Sequence, residues 1–182
     1  MARTAYFDLA QAPAAYTELL GDRPRLNLYR MLPHAGPAAV GFLQLGGALL
    51  RRGELDPPLR EIAILRVGML SGAGYEVHQH KRVARNVGLS AAKIAALTEN
   101  GASLAESGRD LSVFDEAERF VIAFTDQLVH HVKAPDPMFA EAQQRLNARQ
   151  LSELVLTIGF YMMVSRFLEN FEVDIEPPGT IE

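Results

Sequence analysis

The chain has 182 residues, 48% of them apolar, with a formal net charge of −4 and no cysteine. That length is enough for one domain with a sizeable core, and the apolar share excludes a disordered chain. An acidic balance without any run of lysine or arginine argues against nucleic acid as a partner. The absence of cysteine removes disulfides, thiolate metal sites and thiol redox chemistry.

The first residues, Met1 to Pro13, show no cationic start followed by an apolar core, so no secretory leader is expected. No apolar run approaches the ~18 residues of a membrane span. The expectation is a soluble, cytoplasmic protein.

Residues 1–24 read as an N-terminal extension, with a short helix from Ala14 to Leu20 stopped by Gly21-Asp22. A second short helix is expected from Arg25 to Leu32, closed by Pro33. Gly36-Pro37 opens a run with apolar residues at helical spacing, Val40, Leu43, Gly47 and Leu50, ended by Gly53. The Gly46-Gly47 pair weakens its helix propensity but lets a neighbour approach closely. Asp56-Pro57-Pro58 is a strong helix start, with Asp56 positioned to cap free amides. Leu59 to Leu70 is then apolar on nearly every side, which marks a buried helix. Ser71-Gly72-Ala73-Gly74 breaks it, and a more polar helix follows from Tyr75 to Val87. Gly88 ends that helix and Ser90 caps the next, Ala91 to Leu97, which Glu99-Asn100-Gly101 stops; residues 101–111 read as a loop.

A long helix is expected from Ser112, with acids at its start and His130, His131 and Lys133 at its end, as the helix dipole favours. Pro135 and Pro137 interrupt, Met138 to Leu146 resumes, and Gln150 to Phe167 forms the last long helix. Residues 171–182 read as an extended tail. No stretch alternates as a strand would. The fold class is therefore all-α, in a single domain over 1–182. Leu59-Arg60-Glu61-Ile62-Ala63-Ile64 echoes Leu151-Ser152-Glu153-Leu154-Val155-Leu156, a possible internal helical repeat.

Three polar residues stand out. Glu61 is the only acid in the apolar run, and a buried carboxylate needs a partner or stays protonated. A structural partner such as Arg66 or Arg166 is the plainer alternative to a catalytic role. Glu76 and His80 lie four apart, so they share one helical face. Glu76 sits near a helix start, where free amides and the dipole favour an anion. His80 can exchange a proton near neutral pH. His78 points to another face and reads as packing or surface. His130 and His131 are adjacent and face apart, and no ligand spacing supports a metal.

The same residues resemble the core motif of the carboxymuconolactone decarboxylase and alkylhydroperoxidase D (AhpD-like) superfamily. Its peroxidase branch carries a Glu, eleven residues, Cys-x-x-Cys, three residues and a His. Here Glu61 and His80 stand at the Glu and His positions, while Ala73 and Glu76 stand where the cysteines would be. Its decarboxylase branch carries an acid and a His at the Glu76–His80 spacing. Asn27 to Ala48 and Gln150 to Phe167 also resemble the family. The resemblance implies an AhpD-like helical bundle assembled into trimers or hexamers.

It also implies a cysteine-free lyase of aromatic-compound catabolism, acting without cofactor on a small lactone or carbonyl acid by decarboxylation, hydrolysis or isomerisation. The catalytic set would be His80, Glu76 and Glu61. Tyr75 could offer substrate a hydroxyl, and Arg166 could anchor a substrate carboxylate or a subunit contact. The alternative is a non-catalytic ligand-binding or structural oligomer that kept the fold. A thiol peroxidase is excluded, because both thiols are missing.

Overall fold

The computed structural model describes residues 1–98, 111–177 and 179–180. The expected helix stop at residues 99–101 and nearly all of the loop that follows lie outside them. Among the described residues there are nine α-helices and no strand, so the fold is all-α. The chain gathers into two compact units, Met1–Arg52 with Phe167–Glu182, and Gly53–Arg166.

In the first unit, α1 (Ala14–Leu20) and α2 (Asn27–Met31) are short. Pro33 does not end α2 outright, because Leu32–Ala35 continue as a 3₁₀ turn. In α3 (Pro37–Arg51), Gly47 admits the Arg23 side chain, whose Nη2 would lie 3.3 Å from an added Cβ. The N-terminal segment is no loose extension. Tyr16 and Leu20 are buried, and Ala2 N–H and Tyr6 Oη both donate to the Asp174 carboxylate, at 3.1 and 3.0 Å. The extended tail also serves α2. Leu26 at its N-cap offers no side-chain acceptor, and Glu176 Oε1 takes the Asn27 N–H instead at 2.5 Å.

The second unit is built around α4 (Pro57–Leu70), in which every residue from Arg60 to Gly68 is buried. It packs against α5 (Gly74–Asn86), α6 (Ala91–Thr98) and α7 (Glu116–His131). Asp56 occupies the N-cap of α4, yet its side chain caps nothing. Pro57 and Pro58 fill the first turn, and Pro58 at the second position removes one of the two donors a capping carboxylate would take. The start of α7 is also later than Ser112. Asp115 accepts from Glu118 N–H while Glu118 accepts from Asp115 N–H, each at 2.9 Å, and this reciprocal box fixes the boundary. Ser90 Oγ accepts from Lys93 N–H at 3.2 Å, as expected for the cap of α6.

The last two helices are α8 (Asp136–Arg145) and α9 (Ala148–Phe171). The glutamates of the echoed hexapeptides do different work. Glu61 faces a histidine, whereas Glu153 accepts the N–H groups of Glu54 and Leu55, both at 2.7 Å. By length and composition α9 does reach the size of a membrane span, with a mean hydropathy of 1.4, and 50% of that window is buried in the molecule. The sequence understates this run because Arg149, Glu153 and Arg166 punctuate it.

The turn between α4 and α5 positions everything that follows. Gly72 adopts φ +64°, its N–H bonds Met69 O at 3.1 Å, and Ala73 N–H bonds Gly68 O at 2.8 Å. This pair of bonds is a Schellman closure, and it needs a residue tolerant of the left-handed region. Gly68 then lets α5 come close. A Cβ there would lie 3.0 Å from Val77 Cγ2 and 3.7 Å from Glu76 Cβ. Gly68→Ala is expected to destabilise the protein by ~1–3 kcal/mol, as overpacking does. Urea unfolding of the two proteins checks this, and equal midpoints would contradict it.

Candidate active site

The α4–α5 turn brings together the three residues singled out in the sequence. Glu61 lies in the second turn of α4 and is fully buried. Glu76 and His80 share one face of α5. His80 Nδ1 lies 2.6 Å from Glu61 Oε2, a hydrogen bond in which the ring nitrogen donates. On its other side, His80 Nε2 lies 3.0 Å from Glu76 Oε1. The contact is an ion pair, and Glu76 Oε1 makes no geometrically aligned hydrogen bond among the described residues. One nitrogen of the imidazole is thus fixed by a hydrogen bond, and the other is ion-paired with a second carboxylate.

Burial alone would push the His80 pKa down, because desolvation disfavours the charged ring. The two carboxylates outweigh it. Glu61 acts most strongly and Glu76 next, and the pKa rises to about 10. At neutral pH the ring is an imidazolium between two acids. His80 retains 8% of its surface, against 2% for Glu76 and none for Glu61, so it is the most accessible of the three.

Two further residues complete the surroundings, and the sequence points to neither. Arg60 Nε lies 3.5 Å from Glu61 Oε1, and Arg60 is itself buried. Its partnership could have been read from its place beside the only acid in an apolar run. The Tyr161 ring of α9 meets the His80 ring edge to face, with centroids 5.0 Å apart and planes at 83°. Tyr161 is buried, as its apolar run suggests, but periodicity cannot say which neighbour it touches. Arg66, considered as the partner of Glu61, instead binds Asp126 of α7 with two hydrogen bonds, 2.5 and 2.9 Å.

Tyr75 is buried in the first turn of α5. Arg166 is exposed on α9, with Nη1 donating to Met162 O at 2.8 Å. His78 is exposed, as are His130 and His131 at the end of α7. Among the described residues no cluster of three or more His, Asp or Glu side chains is arranged to hold a metal ion.

Residues 37–119 match the model of the carboxymuconolactone decarboxylase family, a stretch that contains Glu61, Glu76 and His80. No curated protein matches the chain significantly. Among solved structures it resembles a protein of unknown function from Agrobacterium tumefaciens, described as a candidate antioxidant defence protein AhpD. The TM-score is 0.66 and the identity 20%, over 79% of this chain and 94% of that one. At that identity the likeness speaks for the fold. The family-model match over residues 37–119 and the AhpD-like fold together support a place in the carboxymuconolactone decarboxylase/AhpD superfamily.

Proposed function

We propose that the protein is a cofactor-free acid/base enzyme that delivers a proton from His80 to a carbanion formed on a small lactone or carbonyl acid. The carrying observation is a buried imidazole whose Nδ1 donates to Glu61 and whose Nε2 is ion-paired with Glu76 at 3.0 Å, in the most accessible of the three side chains. In a decarboxylation of this kind the C–C bond to CO₂ breaks and its electron pair enters the conjugated lactone carbonyl. The resulting enolate carbon then takes the Nε2 proton. Glu61 keeps the ring oriented and charged, Glu76 stabilises the imidazolium from the second side, and solvent returns the lost proton. Tyr75, next to Glu76 in the first turn of α5, is the residue whose hydroxyl we assign to substrate. The exposed Arg166 suits a subunit contact better than the buried triad. The absence of cysteine leaves no thiolate for a peroxidase.

The test is a screen of small lactone acids against the purified protein, read by mass spectrometry. Release of CO₂ or an isomerised product above a heat-treated control supports the proposal. No turnover across the series favours the second reading, a non-catalytic oligomer. The near-complete burial and mutual pairing of the three side chains speak for that alternative.

We further propose a cytoplasmic homo-oligomer, a trimer or hexamer. Phe139, Val155, Leu156 and Met163 are large, apolar and between 39% and 52% exposed. Leu146 and Leu151 join Phe139, Val155 and Leu156 around a groove of ≈ 690 Å³. Contiguous exposed apolar surface of this kind is a signature of subunit contact. Light scattering at micromolar concentration is expected to give a multiple of the 20.0 kDa chain mass, and a monomer mass would refute the assembly.

A further inference from the structure

The first unit contains a cavity of ≈ 700 Å³ between the N-terminal segment, α1 and the turn into α2. Three arginines line it, Arg23, Arg25 and Arg30, against one carboxylate, Asp8. None of the three forms an ion pair among the described residues. Arg23 donates to the Leu19 carbonyl. Arg30 donates to Asn27 Oδ1 at 3.2 Å, and its guanidinium lies over the Tyr6 ring at 4.8 Å. Arg25 is exposed and makes no hydrogen bond or ion pair with any described residue. Asp8 does not offset the charge freely, because its Oδ1 already accepts the Ala10 N–H at 3.0 Å.

A guanidinium donates up to five hydrogen bonds and accepts none, so a cavity lined by three of them favours an acceptor. The chain as a whole is acidic at −4, so this concentration of cations is local and not part of a general field. Phe7, Leu9 and Leu20 contribute apolar wall to the same cavity. A bare inorganic anion would leave that wall unused, whereas an organic one would cover it. Two or more carboxylates on a compact carbon skeleton match both the charge and the wall, because each carboxylate can be gripped bidentately.

We infer that this arginine-lined cavity is a binding site for a small organic polyanion bearing two or more carboxylates. The whole chain would be titrated calorimetrically with benzene-1,3,5-tricarboxylate, and with inorganic phosphate at matched ionic strength. The tricarboxylate binds saturably, one per chain, and more tightly than phosphate. Affinity falls as sodium chloride is raised. Arg25→Ala and Arg30→Gln each weaken binding about tenfold, the loss expected for a charge-assisted hydrogen bond. Arg25→Ala removes no hydrogen bond or ion pair to a described residue, and its fold is checked by circular dichroism. Arg51→Ala, an exposed arginine away from the cavity, leaves binding unchanged. Absence of saturable binding overturns the proposal, as does unaltered affinity in Arg25→Ala and Arg30→Gln. Equal losses in Arg51→Ala place the anion in a general surface field and overturn it too. Phosphate binding as tightly as the tricarboxylate overturns the organic class.

Discussion

Replacing His80 with alanine is expected to lower turnover by ~10²–10⁴-fold, the usual worth of a positioned proton donor. The same change strips the positive partner from two buried carboxylates, Glu61 and Glu76, which the native ring touches at 2.6 and 3.0 Å. Removing one member of a buried ion pair costs ~3–5 kcal/mol, because the remaining charge stays desolvated. A dead but unfolded His80→Ala protein would therefore say nothing of catalysis. Glu61→Gln separates the two effects. It keeps the shape of the side chain and can still hydrogen-bond Nδ1, but it removes the stronger of the two charges that hold the ring protonated. The expected result is a folded protein with a large loss in kcat. Glu76→Gln should be milder, since Glu76 makes no aligned hydrogen bond to the ring. Once a substrate is known, near-normal rates in both His80→Ala and Glu61→Gln would sink the catalytic reading.

The part of this site that the sequence displays is the part set by local spacing. Glu76 and His80 meet because four residues make one helical turn, and Gly72 at φ +64° is the break that returns the chain. Helix interiors are legible for the same reason. Ala14–Leu20 appears at its expected bounds because Pro13 and Gly21 flank it. Boundaries set by competing donors are not. Ser112 and Asp115 are both good caps, and only the partnership of Asp115 with Glu118 decides between them. Long-range choices are the least visible. Arg66 could have met Glu61 or Asp126, and the sequence carries no information on which face α7 turns toward α4. Tyr161 against His80 and Glu176 at the start of α2 are contacts across 81 and 149 positions, which no periodicity encodes. The N-terminal segment resembles an appendage in the sequence because its stabilising partners, Asp174 and Glu172, come from the other end of the chain.

Stability is expected to decline as pH rises between about 6.5 and about 10, and His80 is the cause. In the unfolded chain its ring titrates near the ordinary value of 6.5, whereas Glu61 and Glu76 raise the folded value to about 10. A raised pKa means that the folded state binds the proton more tightly. The stabilisation is thus fully present below the unfolded value, shrinks as the unfolded ring loses its proton, and is gone once pH passes the folded value. Each pH interval of one between the two values is worth ~1.4 kcal/mol, so the contribution is on the order of 5 kcal/mol at the low end of that window. Urea unfolding at pH 6, 8 and 10 measures it. Other groups titrate over the same range, so the comparison is with His80→Gln, in which every group but this one is retained. The wild-type midpoint should fall with pH more steeply than the variant's, and the two should converge towards pH 10. Parallel slopes would mean that the ring is not held as an imidazolium by its two carboxylates. The proposed proton donor would then lack the charge on which its role depends, whatever the outcome of a substrate screen. A steeper wild-type slope together with failure of every lactone acid would leave the buried triad as a structural clamp.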